Sequence, residues 1–180
     1  KAFRITSLLV LLLILITVLA PVIAPYNPLE AVMRDANAAP SAAHLFGTDK
    51  LGRDVLSRIL YGASYSLTSV LFLVFLIFVV GTFLGVIAGY FGGIVDTVIM
   101  RFADMMISFP GVILAIAIAG ILGGSLVNAM IAMLCVTWTK YARLSRSMVL
   151  KIKKRDFVDA AIVSGGSSAH ILWVHILPNI

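Results

Sequence analysis

The chain has 180 residues, of which 61% are hydrophobic and 12% are charged, and its mean hydropathy is +1.09. A soluble core of this size cannot hide so many apolar side chains, so the composition excludes a soluble helical domain and predicts an integral membrane protein. The formal net charge of +6 is concentrated between the apolar runs, which indicates loops between membrane spans rather than a nucleic-acid-binding surface.

The first apolar run covers residues 7–24 and follows the basic residues Lys1 and Arg4. A bilayer core takes about 20 helical residues, so this run predicts a first transmembrane helix after a cytosolic N-terminus of residues 1–6. The alternative is a cleaved signal peptide, which also begins with basic residues. The run is long for such a peptide, and residues 18–20 lack a small-x-small cleavage site.

Residues 25–63 are predicted to form an extracytoplasmic loop. Its segment 47–54 spaces two glycines like a phosphate-binding loop, but Arg53 and Asp54 stand where that loop needs a lysine and a hydroxyl residue. We therefore expect no nucleotide site there. The dispersed histidines and the single Cys135 predict no metal site, and the absence of a catalytic motif predicts that the chain is not an enzyme.

Three more transmembrane helices are predicted within residues 64–149. The second span is predicted over residues 67–88, and its flanks within 59–95 are predicted to be interfacial helix and turn. The uncharged stretch from Met105 to Thr139 is too long for one helix, so we predict a third span over 105–122, a turn at 123–125 and a fourth span over 126–143.

Two features of these spans are predicted to serve packing. Gly81, Gly85 and Gly89 recur every four residues, which predicts a stripe along which another helix approaches closely. Arg101 and Asp104 are three residues apart near the start of the third span, which predicts a structural ion pair. The alternative for these charges is a gate for a charged substrate.

Lysine and arginine counts predict the orientation of the chain. With the N-terminus inside, ten of these residues face the cytosol and four face outwards. Residues 150–180 would then be cytosolic, and the basic residues at their start would lie beside anionic lipid.

The terminal segment is predicted to form two short helices. Phe157, Ala160 and Ala161 share one face at helical spacing, Gly165 and Gly166 break the run, and a second apolar pattern resumes before Pro178. Small side chains on the first face would let a partner dock closely.

With these residues in place, the terminal segment resembles the EAA loop of ABC-importer permeases. Asp159 stands for the usual glutamate, Ala160, Ala161 and Gly165 match, and residues 175–179 match the closing motif. The residues that the resemblance assigns to ATPase coupling are Phe157, Asp159, Ala160, Ala161, Ser164, Gly165, His175, Pro178 and Asn179.

The resemblance extends over almost the whole chain. Motifs in 47–58 and 92–110 look like those of the C-type permeases of dipeptide, oligopeptide and nickel importers. It implies an all-α polytopic bundle of the type I importer fold. Because that fold continues through two more helices after the position of Ile180, and because the chain has no initiator methionine, we expect the sequence to be a fragment.

The family resemblance also implies partners and a location. It implies a B-type permease subunit, two cytosolic ATPase subunits that carry ATP and Mg, and an extracytoplasmic substrate-binding protein, in a bacterial or archaeal cytoplasmic membrane. This chain would bind no cofactor itself. The rival hypothesis from another class is a membrane scaffold that anchors a cytosolic partner without transporting anything.

Overall fold

The computed structural model describes residues 2–180. Regular structure in these residues is helical, apart from one isolated antiparallel bridge between Thr48 and Asp54, which confirms the predicted all-α class. The chain divides into two compact units, residues 1–72 and 73–180. The boundary between them falls inside a long helix.

Two helices, α1 (Ala2–Val18) and α2 (Ala20–Ile23), occupy the predicted first span. The break lies at Leu19 because Pro21 has no N–H to donate to the carbonyl four residues earlier, and its ring crowds that carbonyl. The run 7–24 is therefore not one continuous helix, since the longer helix starts earlier and ends at Val18.

The loop after α2 is organised around a turn at residues 47–54. The Asp49 carboxylate accepts hydrogen bonds from the backbone N–H groups of Leu51 (2.8 Å) and Arg53 (3.0 Å) and from the Arg53 guanidinium (2.8 Å). Desolvation opposes ionisation of this carboxyl, but these bonds and the Arg53 charge outweigh it and lower the pKa of Asp49 from 3.8 to about 2. The Asp49 carboxylate thus holds the backbone of this turn and the Arg53 side chain within it.

Asp54 ends this turn and caps the next helix. Its Oδ2 atom accepts a hydrogen bond from the Ser57 N–H at 2.7 Å, and its Oδ1 atom lies 3.0 Å from Nδ1 of His44. A carboxylate at this position satisfies an otherwise free N–H of the first turn. The helix therefore begins at Val55, within the stretch 25–63 that was predicted to be a loop.

The third helix, α3 (Val55–Phe91), is continuous over 37 residues. At 1.5 Å per residue it is about 55 Å long, well beyond the roughly 30 Å of a bilayer core. The predicted second span, 67–88, is the interior of this helix. The turn expected in its flanks is absent from α3.

The predicted third span is also not one helix. α4 (Gly93–Ile107) and α5 (Gly111–Leu122) are separated by a short break and bent by 92°. Pro110 lacks an N–H and disfavours helical geometry at Phe109, so the helix cannot continue through this point. The prediction over 105–122 missed this bend.

The turn at 123–125 lies where it was predicted. The Ser125 hydroxyl accepts a hydrogen bond from the Asn128 N–H at 3.1 Å, and the Asn128 amide donates to the carbonyls of Leu122 (2.6 Å) and Gly123 (3.1 Å). One side chain thus satisfies the end of α5 while the other starts α6 (Leu126–Ile152). α6 continues well past residue 143, where the fourth span was predicted to end.

Within residues 2–180, α3 alone is by itself long and apolar enough to cross a membrane. α4 and α5 qualify only as a bent pair, and α1 is apolar but shorter. α6 carries several cations along its carboxyl half, namely Lys140, Arg143, Arg146 and Lys151. The four predicted spans therefore stay a prediction.

The glycine stripe of α3 lies against α6. A Cβ on Gly81 would come within 2.5 Å of the Trp138 carbonyl oxygen, and one on Gly85 would overlap the Ala142 carbonyl. A Cβ on Gly89 would come within 2.8 Å of Cβ of Val149. The two backbones are therefore too close to admit side chains along this line.

Candidate functional site

The candidate site is built on α7 (Asp156–Val163), which follows α6 after a short connection. Asp156 and Asp159 lie in its first turn, where carboxylates interact favourably with the positive end of the helix dipole. Val158 is fully buried, whereas Phe157 and Ala160 are exposed. α7 therefore has one face fixed to the protein and one face open.

Gly165 stops α7. Its φ is +80°, and its N–H donates to the Ile162 carbonyl (3.0 Å) while the Gly166 N–H donates to the Ala161 carbonyl (3.0 Å). This pair of bonds is the Schellman arrangement, which satisfies the free carbonyls of a helix end and needs a left-handed residue. The break predicted at Gly165 and Gly166 is thus a helix-terminating turn.

A second helical segment follows this turn over residues 168–179, and we call it the closing helix. The Ser167 hydroxyl caps its start by accepting from the His170 N–H at 3.3 Å. Its middle, Ile171–Ile176, is wound as a π-helix. The Asn179 amide donates to the His175 carbonyl at 2.8 Å, beside Pro178, which has no N–H to offer.

An apolar cluster fixes both segments to the ends of α3 and α6. Val158 of α7 and Ile171 and Ile176 of the closing helix are at most 2% exposed and pack with Val86 and Val149. Several half-buried side chains surround the cluster. Non-polar burial on this scale anchors the segment to the two long helices.

The open face forms a groove of about 410 Å³ between α7 and the closing helix. We call it the α7 groove, and its lining residues are Phe157, Ala160, Ala161, Ser164, Gly166, His170 and His175. The Phe157 and His175 rings are 6.4 Å apart, and the His170 and His175 rings are 5.6 Å apart. A shallow wall of alanines beside aromatic rings suits an inserted apolar side chain.

The structure brings together most but not all of the predicted coupling residues. Phe157, Ala160, Ala161, Ser164 and His175 line the groove. Asp159 is exposed outside the lining, Gly165 shapes the turn, and Pro178 and Asn179 lie at the end of the closing helix.

Two lining residues, Gly166 and His170, were not predicted to belong to the site, although Gly166 was predicted to break the helix. His170 lies five residues before His175, which a regular α-helix places on different faces. The π-helical winding brings positions five apart into register, so helical periodicity could not have found the pair. The Ser167 cap was the available signal that a helix starts there.

The predicted ion pair between Arg101 and Asp104 is not formed. Asp104 instead pairs with Arg143 of α6 at 2.5 Å, and Arg101 is exposed. A second pair joins Asp96 to Arg146, with both guanidinium contacts at 2.5 Å. The aspartates of α4 form ion pairs with α6 rather than within α4, because α6 presents two arginines to the acidic side of α4.

A family model and curated relatives match this chain. The model described as the binding-protein-dependent transport system inner membrane component matches residues 81–180. A dipeptide transport system permease protein, DppC, of Alkalihalophilus pseudofirmus is 47% identical over 78% of this chain and 46% of its own length.

Two other relatives carry different substrate names. A glutathione transport system permease protein, GsiD, of Pectobacterium atrosepticum is 41% identical over 79% of this chain and 48% of its own length. A nickel transport system permease protein, NikC, of Escherichia coli is 36% identical over 96% of this chain and 62% of its own length.

The chain thus spans about half the length of the curated relatives it matches. These matches confirm the resemblance to importer permeases that the terminal motif and the upstream motifs indicated. Because the family model covers more than half of the residues, the chain belongs to the family of binding-protein-dependent transport system inner membrane components.

Proposed function

We propose that this chain is a permease subunit of an ABC importer that moves peptides, or nickel or a nickel chelate, across a bacterial or archaeal cytoplasmic membrane. The relatives named as dipeptide, glutathione and nickel permeases support this range of substrates. ATP and Mg would be bound by partner ATPase subunits, and this chain would be a transport subunit rather than an enzyme.

The observation that carries the proposal is the way α7 is mounted. Its open face is a groove lined by the motif residues, and its opposite face is anchored through Val158 to the ends of α3 and α6. A partner that binds in the groove and then moves would therefore displace α3 and α6 as well. A site for passive anchoring would not need this buried connection to the bundle.

The proposed assembly contains a B-type permease, two ATPase subunits and an extracytoplasmic substrate-binding protein, with the N-terminus of this multi-pass chain in the cytosol. ATP would close the ATPase pair, and the docked α7 would follow. A ligand shifts a conformational equilibrium only by its differential affinity for the two states. ATP must therefore bind one arrangement of the docked ATPases better than the other.

Reconstitution tests the proposal directly. The permease gene and its genomic neighbours are co-expressed, the complex is purified through a tag on this chain, and uptake into proteoliposomes is measured with ATP inside. We expect two ATPase subunits in the complex and ATP-dependent uptake of a di- or oligopeptide or of chelated nickel. Recovery of a partner without ATPase activity would instead support a scaffold.

Gly165 gives a sharper test of the role of α7. A Cβ at this position meets no neighbour within 4 Å, so the constraint is the φ of +80° rather than space. Valine is strongly disfavoured there, whereas asparagine tolerates left-handed geometry. We expect Gly165→Val to abolish substrate-stimulated ATP hydrolysis while the permease still inserts, and Gly165→Asn to retain it. Normal stimulation in the valine variant would refute the role assigned to this turn.

A further inference from the structure

The carboxyl end of α3 is held by a lysine from another element. The Lys153 ammonium donates a hydrogen bond to the Tyr90 carbonyl oxygen at 2.7 Å and lies 5.4 Å from the centre of the Tyr90 ring. Tyr90 is in the last turn of α3, which ends at Phe91. Lys153 is the first residue after α6 and lies just before α7.

This contact satisfies a group that the helix itself leaves free. The last four carbonyls of an α-helix have no partner within the helix, and a cation there also interacts favourably with the negative end of the dipole. The stacking position over the ring adds a cation–π interaction. Lys153 therefore caps α3 from outside the helix.

The glycine stripe explains why Lys153 can reach Tyr90. At Gly89 the backbones of α3 and α6 are so close that an added Cβ would come within 2.8 Å of Cβ of Val149. The two helices thus converge one turn before Lys153. The neighbouring cations Lys151 and Lys154 are exposed, whereas Lys153 is half-buried.

The apolar cluster beneath α7 cannot supply the same kind of connection. Burial of Val158, Ile171 and Ile176 against Val86 and Val149 is non-directional, so it resists separation more strongly than it resists sliding. A hydrogen bond to one carbonyl has a defined direction and length. Lys153 therefore fixes where α7 begins relative to the end of α3.

We propose that Lys153 is a positioning residue that transmits displacement of α7 to α3 through its bond to the Tyr90 carbonyl. This inference rests on the proposed function of α7 as the contact for the ATPase subunits. Without this bond α7 can still bind its partner. When α7 then moves, it slides against α3 instead of displacing α3. Hydrolysis continues while transport falls.

The test compares Lys153→Met with Lys153→Arg and with the matched control Lys154→Met. In the assembled transporter in proteoliposomes, substrate taken up per ATP hydrolysed is measured at equal amounts of complex. We expect this ratio to fall on the order of tenfold in Lys153→Met, from the loss of one charge-assisted hydrogen bond. Arginine, which can still donate to the carbonyl, should restore most of the ratio, and Lys154→Met should match the wild type.

Amide hydrogen exchange of the membrane-embedded protein supplies a second readout that does not depend on transport. Residues 87–91 should exchange several-fold faster in Lys153→Met than in the wild type or in Lys154→Met. An unchanged exchange rate in Lys153→Met, or an unchanged uptake ratio in an assembly that transports, overturns the inference. If the wild-type assembly hydrolyses ATP without uptake, the proposed function fails, and the exchange rates alone decide whether Lys153 holds the end of α3.

Discussion

Gly85 is the residue at which the close approach of α3 and α6 leaves the least room. A Cβ there would overlap the backbone carbonyl of Ala142, and a backbone group cannot rotate away as a flexible side chain can. Ala142 is itself fully buried. The two helices must therefore separate locally to admit even one methyl group.

We predict that Gly85→Ala destabilises the protein by about 2 kcal/mol or more, because it overpacks a close helix contact. The measurement is the melting temperature of the purified protein in detergent. Gly120→Ala is the matched control, since a Cβ on that helical glycine meets nothing within 4 Å. A melting temperature for Gly85→Ala equal to that of the control would show that α3 and α6 do not touch at this glycine.

At the residue scale, sequence analysis found the stripe but not what it contacts. Three glycines at a spacing of four imply a close neighbour, and α6 meets each of them. Spacing within one segment carries no information about which other segment approaches it. The same limit explains the error at Asp104, because helical spacing revealed Arg101 as a local candidate but could not reveal Arg143.

At the element scale, α4 and α6 are joined by the two ion pairs Asp96–Arg146 and Asp104–Arg143. The first is the better shielded, with side-chain exposures of 18% and 34% against 52% and 48% for Asp104 and Arg143. Solvent weakens exposed pairs, so the bidentate Asp96–Arg146 contact should dominate.

We predict that Asp96→Ala lowers stability by about 1–2 kcal/mol, because it leaves the Arg146 guanidinium without its carboxylate. The charge-reversed double variant, Asp96→Arg with Arg146→Asp, should recover part of that loss. Melting temperatures of the wild type, of the single variants Asp96→Arg and Arg146→Asp, and of the double variant give the coupling energy between the two side chains. Arg101→Ala should leave the stability nearly unchanged. A loss of stability equal to that of Asp96→Ala would instead support the ion pair between Arg101 and Asp104 within α4.

The bend between α4 and α5 shows why element boundaries were harder to predict than element type. Pro110 is visible in the sequence, yet the run around it is uncharged and mostly apolar, and hydropathy alone favours one span. The turn at 123–125 was found because two glycines and a serine interrupt the same run. α3 begins before its predicted start because Asp54 caps its first turn. Hydropathy does not show this cap, which depends on the fold of the loop before it.

At the scale of the whole molecule, the distribution of lysine and arginine predicts the orientation of the chain. Ten lysine and arginine residues are placed inside and four outside by the predicted topology. The α7 groove can meet a cytosolic ATPase only if residues 150–180 lie on the cytosolic side. The orientation therefore decides whether the proposed function is physically possible.

We predict that the loop before α3 and the connection before α7 lie on opposite sides of the membrane. Cys135 is the single cysteine, so Cys135→Ser gives a cysteine-free chain into which single cysteines can be introduced for labelling. In intact cells or spheroplasts, a membrane-impermeant thiol reagent should modify Ala42→Cys and leave Lys154→Cys unmodified, since both positions are exposed to solvent in the fold. Permeabilised cells, in which both must react, control for accessibility. Labelling of Lys154→Cys from outside would place α7 away from any cytosolic ATPase, and the transport mechanism would fail with it.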